Sequence, residues 1–306
     1  MYEFETIADG LRFPEGPVAM PDGSVNLVEI AAGRVTRVRP DGSIETVAEP
    51  GGGPNGLAIG PNGKLYCCNN GGFDYLEHPS GLLIPRGQPH DYSGGRIERT
   101  DPDTGAVETL YKTGDHGCIL RGPNDLVFDG HGGFWFTDHG KTRERERDVT
   151  GIFYARADGS MLREVIFPSE NPNGVGLSPD GRRLYAAETY TCRLMAFDVT
   201  GPGEIDQAAG LGGPGIPLYR PGGYKFFDSL GLEECGNICV ATIGECGISV
   251  ISPEGELVEF VPTDDPFTTN IAFGGGDMRD AYITLSGTGR LVKCRWPRPG
   301  LRLAHA

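Results

Sequence analysis

The sequence predicts an all-β fold: a six-bladed β-propeller with four antiparallel strands in each blade. Three observations predict it. A turn–strand–turn–strand phrase occurs six times, beginning near residues 15, 55, 124, 173, 228 and 270. That interval, roughly 40–70 residues, suits one propeller blade per copy. Most copies are followed by a second pair of short strands, and no segment carries sustained helical periodicity.

The clearest copy runs over residues 121–138, where Gly122-Pro123-Asn124 opens a turn and Asp125-Leu126-Val127-Phe128 makes a short apolar run. A Gly-rich turn then leads to Phe134-Trp135-Phe136-Thr137, so the stretch reads as a β-hairpin. Pro54-Asn55-Gly56 and Pro172-Asn173-Gly174 open equivalent hairpins, and Glu15-Gly16-Pro17 opens the first. Two looser copies start at Asp228 and Asn270. Outer hairpins follow in the first, second, third and fifth copies, for example Gly33 to Val38 and Ser43 to Val47 around Pro40-Asp41-Gly42. The sixth copy is one strand short after Cys294. The stretch from Phe4 to Ala8 stands alone before the first copy, so the N-terminal strand is expected to close the ring and remove its open edge. One domain over residues 1–306 follows, with a lid-like insertion at 71–94. The charge run of residues 138–150 is expected to be a solvated loop.

Gly 49 and Pro 24 are high counts, but they fall at turns between aromatic and β-branched strands, which argues against disorder. The formal net charge of −15 repels phosphate backbones and disfavours a nucleic-acid partner. No stretch is apolar for long enough to span a membrane, and Met1-Tyr2-Glu3-Phe4-Glu5 has no signal-peptide character, so a cytoplasmic location is the expectation. The Cys count is 8 without a CxxC pair, which disfavours structural zinc and suggests buried thiols.

In a propeller the first strand of each repeat lines the central channel. The residues just before it, Glu15, Asn55, Asn124, Asn173, Asp228 and Asn270, therefore gather at one mouth. Asn in Pro-Asn-Gly is ordinary turn chemistry. Glu15 and Asp228 ask for more, because carboxylates converging on an axis repel unless a cation or proton lies between them. Carboxylate and amide oxygens are the donors hard cations prefer. Second strands return to the same mouth and bring Asp138, His139, Glu188 and Tyr190 as wall residues, while the insertion contributes aromatic residues and His90. The whole describes a small-molecule pocket. No nucleophile elbow, HExxH helix or phosphate loop is present.

Together, Phe13-Pro14-Glu15-Gly16-Pro17, Gly122-Pro123-Asn124-Asp125, residues 171–182 and Thr269-Asn270-Ile271-Ala272-Phe273-Gly274-Gly275 resemble the senescence marker protein (regucalcin), gluconolactonase and luciferin-regenerating enzyme family over the whole chain. The resemblance implies one divalent metal, calcium first with zinc, manganese or magnesium as alternatives. Its ligands would be Glu15, Asn124, Asn173 and Asp228. It implies hydrolysis of a sugar lactone or related cyclic ester; Asp228 is the favoured general base for it, with a metal-bound hydroxide as the alternative. Asn55, His90, Arg121, Asp138, His139, Glu188 and Tyr190 are the candidate substrate contacts. A phosphotriesterase on the same floor, or a binding scaffold with a structural ion, are the alternatives. Two departures stand out: Phe227-Asp228-Ser229 replaces the usual Pro-Asp-Gly, and Gly122 stands where relatives carry a sugar-binding Arg, with Arg121 one position further back.

Overall fold

The computed structural model describes residues 2–208, 213–223 and 225–306. Six antiparallel sheets stand around a central channel. Each starts with an innermost strand: Pro14–Ala19, Pro54–Ile59, Pro123–Phe128, Pro172–Leu177, Phe226–Leu232 and Thr268–Gly274. The chain steps outward from each through two to four further strands. Blade 3 is regular, with Gly133–Asp138, Thr150–Arg156 and Leu162–Ser169 following in order. In blade 4 two short strands, Glu204–Ile205 and Ile216–Tyr219, share the outer edge of Arg193–Gly201. The strand Glu5–Ala8 pairs antiparallel with Arg290–Arg295, so blade 6 holds three C-terminal strands and one N-terminal strand. The expected closure is the observed one.

Sequence explains why the innermost strands lie so close. Gly56 has no room for a side chain, because a Cβ there would sit 2.5 Å from the Asn124 carbonyl oxygen of the next blade. A Cβ on Gly174 would meet the Leu230 amide nitrogen at 2.6 Å. Glycine at these points lets backbone pack on backbone around the axis. Further out, aromatic side chains fill the wedges between blades. Tyr66, Phe128 and Phe134 join blades 2 and 3, with the Tyr66 and Phe128 rings edge-on at 5.0 Å. Such rings bury on the order of 150–250 Å² each and dominate the cohesion of the ring of blades.

Two additions finish the channel. Within the insertion, Asp74–Glu77 and Leu83–Gly87 pair as a hairpin laid across one mouth. Leu83 N–H donates to the Gly287 carbonyl of blade 6 at 2.8 Å, and Gln88 N–H donates to the Thr142 carbonyl of blade 3 at 3.0 Å. The roof is therefore fastened at both ends. At the opposite mouth Leu301, Leu303, Ala304 and Ala306 lie across the channel and leave an apolar cavity of about 110 Å³ behind them. Among the described residues no helix is long and apolar enough to cross a membrane.

The charge run departs from its expectation near its start, where Asp138 and Lys141 are buried. Glu144 and Arg145 are exposed as expected, but Lys141 is 1% exposed. Its Nζ donates to Asn70 Oδ1 at 3.0 Å and to the Gly72 carbonyl at 2.6 Å, and lies 4.0 Å from the centre of the Phe73 ring. Burial holds its pKa down at about 7. Lys141 thus ties blade 3 to the root of the roof. Every cysteine is a free thiol, and Cys67, Cys68, Cys239 and Cys294 are buried in strands.

Candidate active site

The site is built on irregularities in the innermost strands. In blade 3 Pro123 pairs with Asp138 and Leu126 with Phe136, so two residues, Asn124 and Asp125, face the single partner Thr137. The same slip occurs at Asn55 between Pro54 and Leu57, at Asn173 between Pro172 and Val175, and at Asp228 between Phe227 and Leu230. A β-bulge re-aims the extra residue out of the strand's alternation. Here it occurs at the same height in successive blades, and Asn55, Asn124, Asn173 and Asp228 all line one cavity with Glu15.

Each floor residue is nearly inaccessible. Glu15 is 3% exposed, and its Oε2 accepts Gly16 N–H at 2.5 Å and Asn270 Nδ2 at 2.7 Å. Burial still pushes its pKa up to about 7 against those hydrogen bonds. Burial and then the Glu15 charge hold Asp228 well above the ordinary carboxylate range, while hydrogen bonding to Asn173 opposes the shift. Asn173 Nδ2 donates to Thr189 Oγ1 at 3.1 Å, which leaves its Oδ1 toward Ser229. Asn124 Oδ1 is buried with no hydrogen-bond partner. Among the described residues neither Glu15 nor Asp228 is paired with a cationic side chain.

An orphaned amide oxygen beside two uncompensated buried carboxylates leaves a cation's charge and donors unmet, so the residues present fit a hard divalent metal. Among the described residues no group of three or more His, Cys, Asp or Glu side chains could hold an ion. This floor has only two carboxylates, and amide oxygens make up the rest.

The cavity has a volume of about 560 Å³. Of the expected wall residues, the structure places His139 and Tyr190 in its lining, with ring centres 5.8 Å apart. Burial lowers the His139 pKa to about 4, so the imidazole is neutral at pH 7. Four others lie outside the lining. His90 and Arg121 are exposed. Asp138 is fully buried, and its carboxylate accepts the N–H groups of Arg121 and Gly122, both at 2.7 Å, and of Gly140 at 2.8 Å. Glu188 accepts Glu170 N–H at 3.1 Å and pairs with Arg193 at 2.6 Å. Glu29 and Asn69 end the second strands of blades 1 and 2 and do the same work. Glu29 accepts Arg12 N–H at 2.8 Å, and Asn69 accepts Gly53 N–H at 2.9 Å. These polar strand ends hold the loops that enter the innermost strands.

Sequence reasoning did not single out the apolar walls that Phe13, Ile84, Phe226, Ile243 and Phe267 form, while Phe73, one of the aromatic residues expected from the insertion, is in the lining. Nor did it single out Asp125, whose pKa burial and the Glu15 charge raise to about 8. A signal existed for Asp125, because it occupies the repeat position where Gly16, Gly56 and Gly174 stand in other blades.

The profile of the SMP-30/Gluconolactonase/LRE-like region matches residues 13–287. The chain belongs to that family. The diisopropyl-fluorophosphatase of Loligo vulgaris is 31% identical to it, over 97% of this chain and 93% of its own. The gluconolactonase of Zymomonas mobilis is 24% identical, over 84% of this chain and 71% of its own. Among solved structures, the calcium-binding regucalcin of Agrobacterium tumefaciens superposes with a TM-score of 0.74 at 18% identity, covering 99% of this chain and 98% of that one, and so shares the fold.

Proposed function

We propose that this chain is a lactone hydrolase whose floor, Glu15, Asn124, Asn173 and Asp228, holds a divalent cation, calcium by preference for its all-oxygen donor set. The observation that carries the reading is the pair of buried carboxylates without a cationic partner beside the unpartnered Asn124 Oδ1. Membership of the family and the gluconolactonase relative support the lactone as substrate. When bound, the cation supplies Lewis acidity toward the substrate carbonyl oxygen.

The chain's own residues do the rest. Glu15 is fixed by Gly16 and Asn270 and stays put through the reaction. Asp228 is the floor carboxylate in the lining that takes the proton of the attacking water. That proton then passes to the ring oxygen that leaves as the product hydroxyl. The apolar walls exclude bulk water, which strengthens each electrostatic contact at the floor.

The test is lactone hydrolysis followed by proton release, after chelation and with calcium, zinc, manganese or magnesium restored. An Asp228→Asn variant should lose at least about a hundredfold in kcat. Turnover near wild type in that variant removes Asp228 from the role. The diisopropyl-fluorophosphatase relative, at 31% identity, favours phosphotriesters as the second reading. Hydrolysis of a fluorophosphate with no lactone turned over would put that reading first.

A further inference from the structure

The walls above the floor point to which lactone. On one side Phe13 packs against Phe267 at 5.9 Å between ring centres, with Phe73 of the roof beside them in the lining. On the other side Tyr190 packs between His139 at 5.8 Å and Phe226 at 6.1 Å. Tyr190 is 44% exposed although it is a large aromatic residue, and Arg147 lies 4.6 Å from its ring centre. The cavity thus has two facing aromatic walls and a polar floor, and one wall ends in an open ring at the rim.

A polyhydroxylated lactone suits such a place poorly. Every ring hydroxyl buried there without a partner costs on the order of 1–3 kcal/mol. Beyond the floor the lining has few polar side chains: Arg86 on the roof strand, Thr142, His139, whose Nδ1 is buried and unbonded, and Thr189, which already accepts from Asn173. An alkyl or aryl substituent, by contrast, gains about 0.8 kcal/mol for each methylene taken out of water. Resting on the lactone-hydrolase reading, we infer that the substrate is a lactone with a bulky apolar substituent, its ring ester at the floor and its substituent between the walls of Phe73 and Tyr190.

Three δ-lactones with the same ring separate the possibilities: δ-valerolactone, bare; δ-decalactone, with a pentyl chain; and glucono-δ-lactone, with hydroxyls. With calcium supplied, kcat/KM should be at least about tenfold higher for δ-decalactone than for δ-valerolactone, and lowest for glucono-δ-lactone. Tyr190→Ala and Phe73→Ala should each raise KM for δ-decalactone by severalfold and shrink its advantage over the bare ring. Because Tyr190 is partly exposed, its variant tests the wall without touching the core. A preference for glucono-δ-lactone would overturn the inference and leave the lactone-hydrolase reading standing. An advantage for δ-decalactone that survives both substitutions would also overturn it. Turnover of none of the three would bring down both.

Discussion

Glu15 shows how a single residue can work against the fold that holds it. Its carboxyl has a pKa of about 7 in the folded protein against 4.5 as the ordinary value, with burial as the main cause. The folded chain therefore holds a proton there that the unfolded chain has released, and without a cation its stability falls as pH rises from about 4.5 to 7. Above that window the full penalty remains, about 3 kcal/mol by the conversion of pKa shift to free energy. Asp125 and Asp228 are raised too and push the same way. In chelator at pH 8, Glu15→Gln should melt higher than wild type. Added calcium should raise the melting temperature of wild type by several degrees and that of the variant by much less. Equal gains for both proteins would show that Glu15 does not face the ion.

At the scale of the element, the polar ends of the second strands separate two jobs that look alike in sequence. Asp138 and Glu188 are acidic residues at strand ends facing the mouth, as a substrate contact would be. Asp138 spends its carboxylate on backbone N–H groups, and Glu188 divides its own among Glu170 N–H, the Ser169 and Thr191 hydroxyls and Arg193. Nothing in the residue types distinguishes the two roles. The difference lies in whether the side chain turns toward the axis or back toward the preceding loop, and the β-bulge settles that for Asn124 while Asp138 lies outside it. Asp138→Ala strands the buried N–H groups of Gly122 and Gly140 and the partly buried one of Arg121, each a hydrogen bond to a charged acceptor worth about 1.5–3 kcal/mol. The variant should lose at least about 3 kcal/mol in urea unfolding. An unchanged midpoint would mean that water replaces the carboxylate. The roof hairpin was legible only as an insertion rich in aromatics. Its two fastenings, on Gly287 and Thr142, are backbone contacts that no side-chain pattern announces.

For the whole molecule the ring closure was the most legible feature. An unpaired strand before the first repeat and a missing strand after the last left one economical arrangement, and Glu5–Ala8 against Arg290–Arg295 realises it. Turn chemistry carried the fold where Pro40-Asp41-Gly42, Pro61-Asn62-Gly63 and Asp180-Gly181 reverse the chain, whereas Pro54-Asn55-Gly56 and Pro172-Asn173-Gly174, expected as turns, form bulges within innermost strands. The apolar walls were less legible because Phe13, Phe73, Tyr190, Phe226 and Phe267 come from scattered parts of the chain and meet only once the blades are arranged. Closure also links the ends of the chain to global stability. Deleting residues 1–10 exposes the edge of Arg290–Arg295 and uncovers Leu291, so the melting temperature should fall by 10 °C or more, on the order of 2–4 °C per kcal/mol lost in a chain of this size. An unchanged value would mean that blade 6 stands without its fourth strand.

The tail lying across the far mouth has a kinetic consequence. With Leu301, Leu303, Ala304 and Ala306 in the way, the channel is a cup rather than a pipe. On the proposed function, the hydroxy acid formed at the floor would leave by the opening through which the next lactone arrives. Traffic in the two directions excludes itself, so accumulated product should raise the apparent KM and leave kcat untouched.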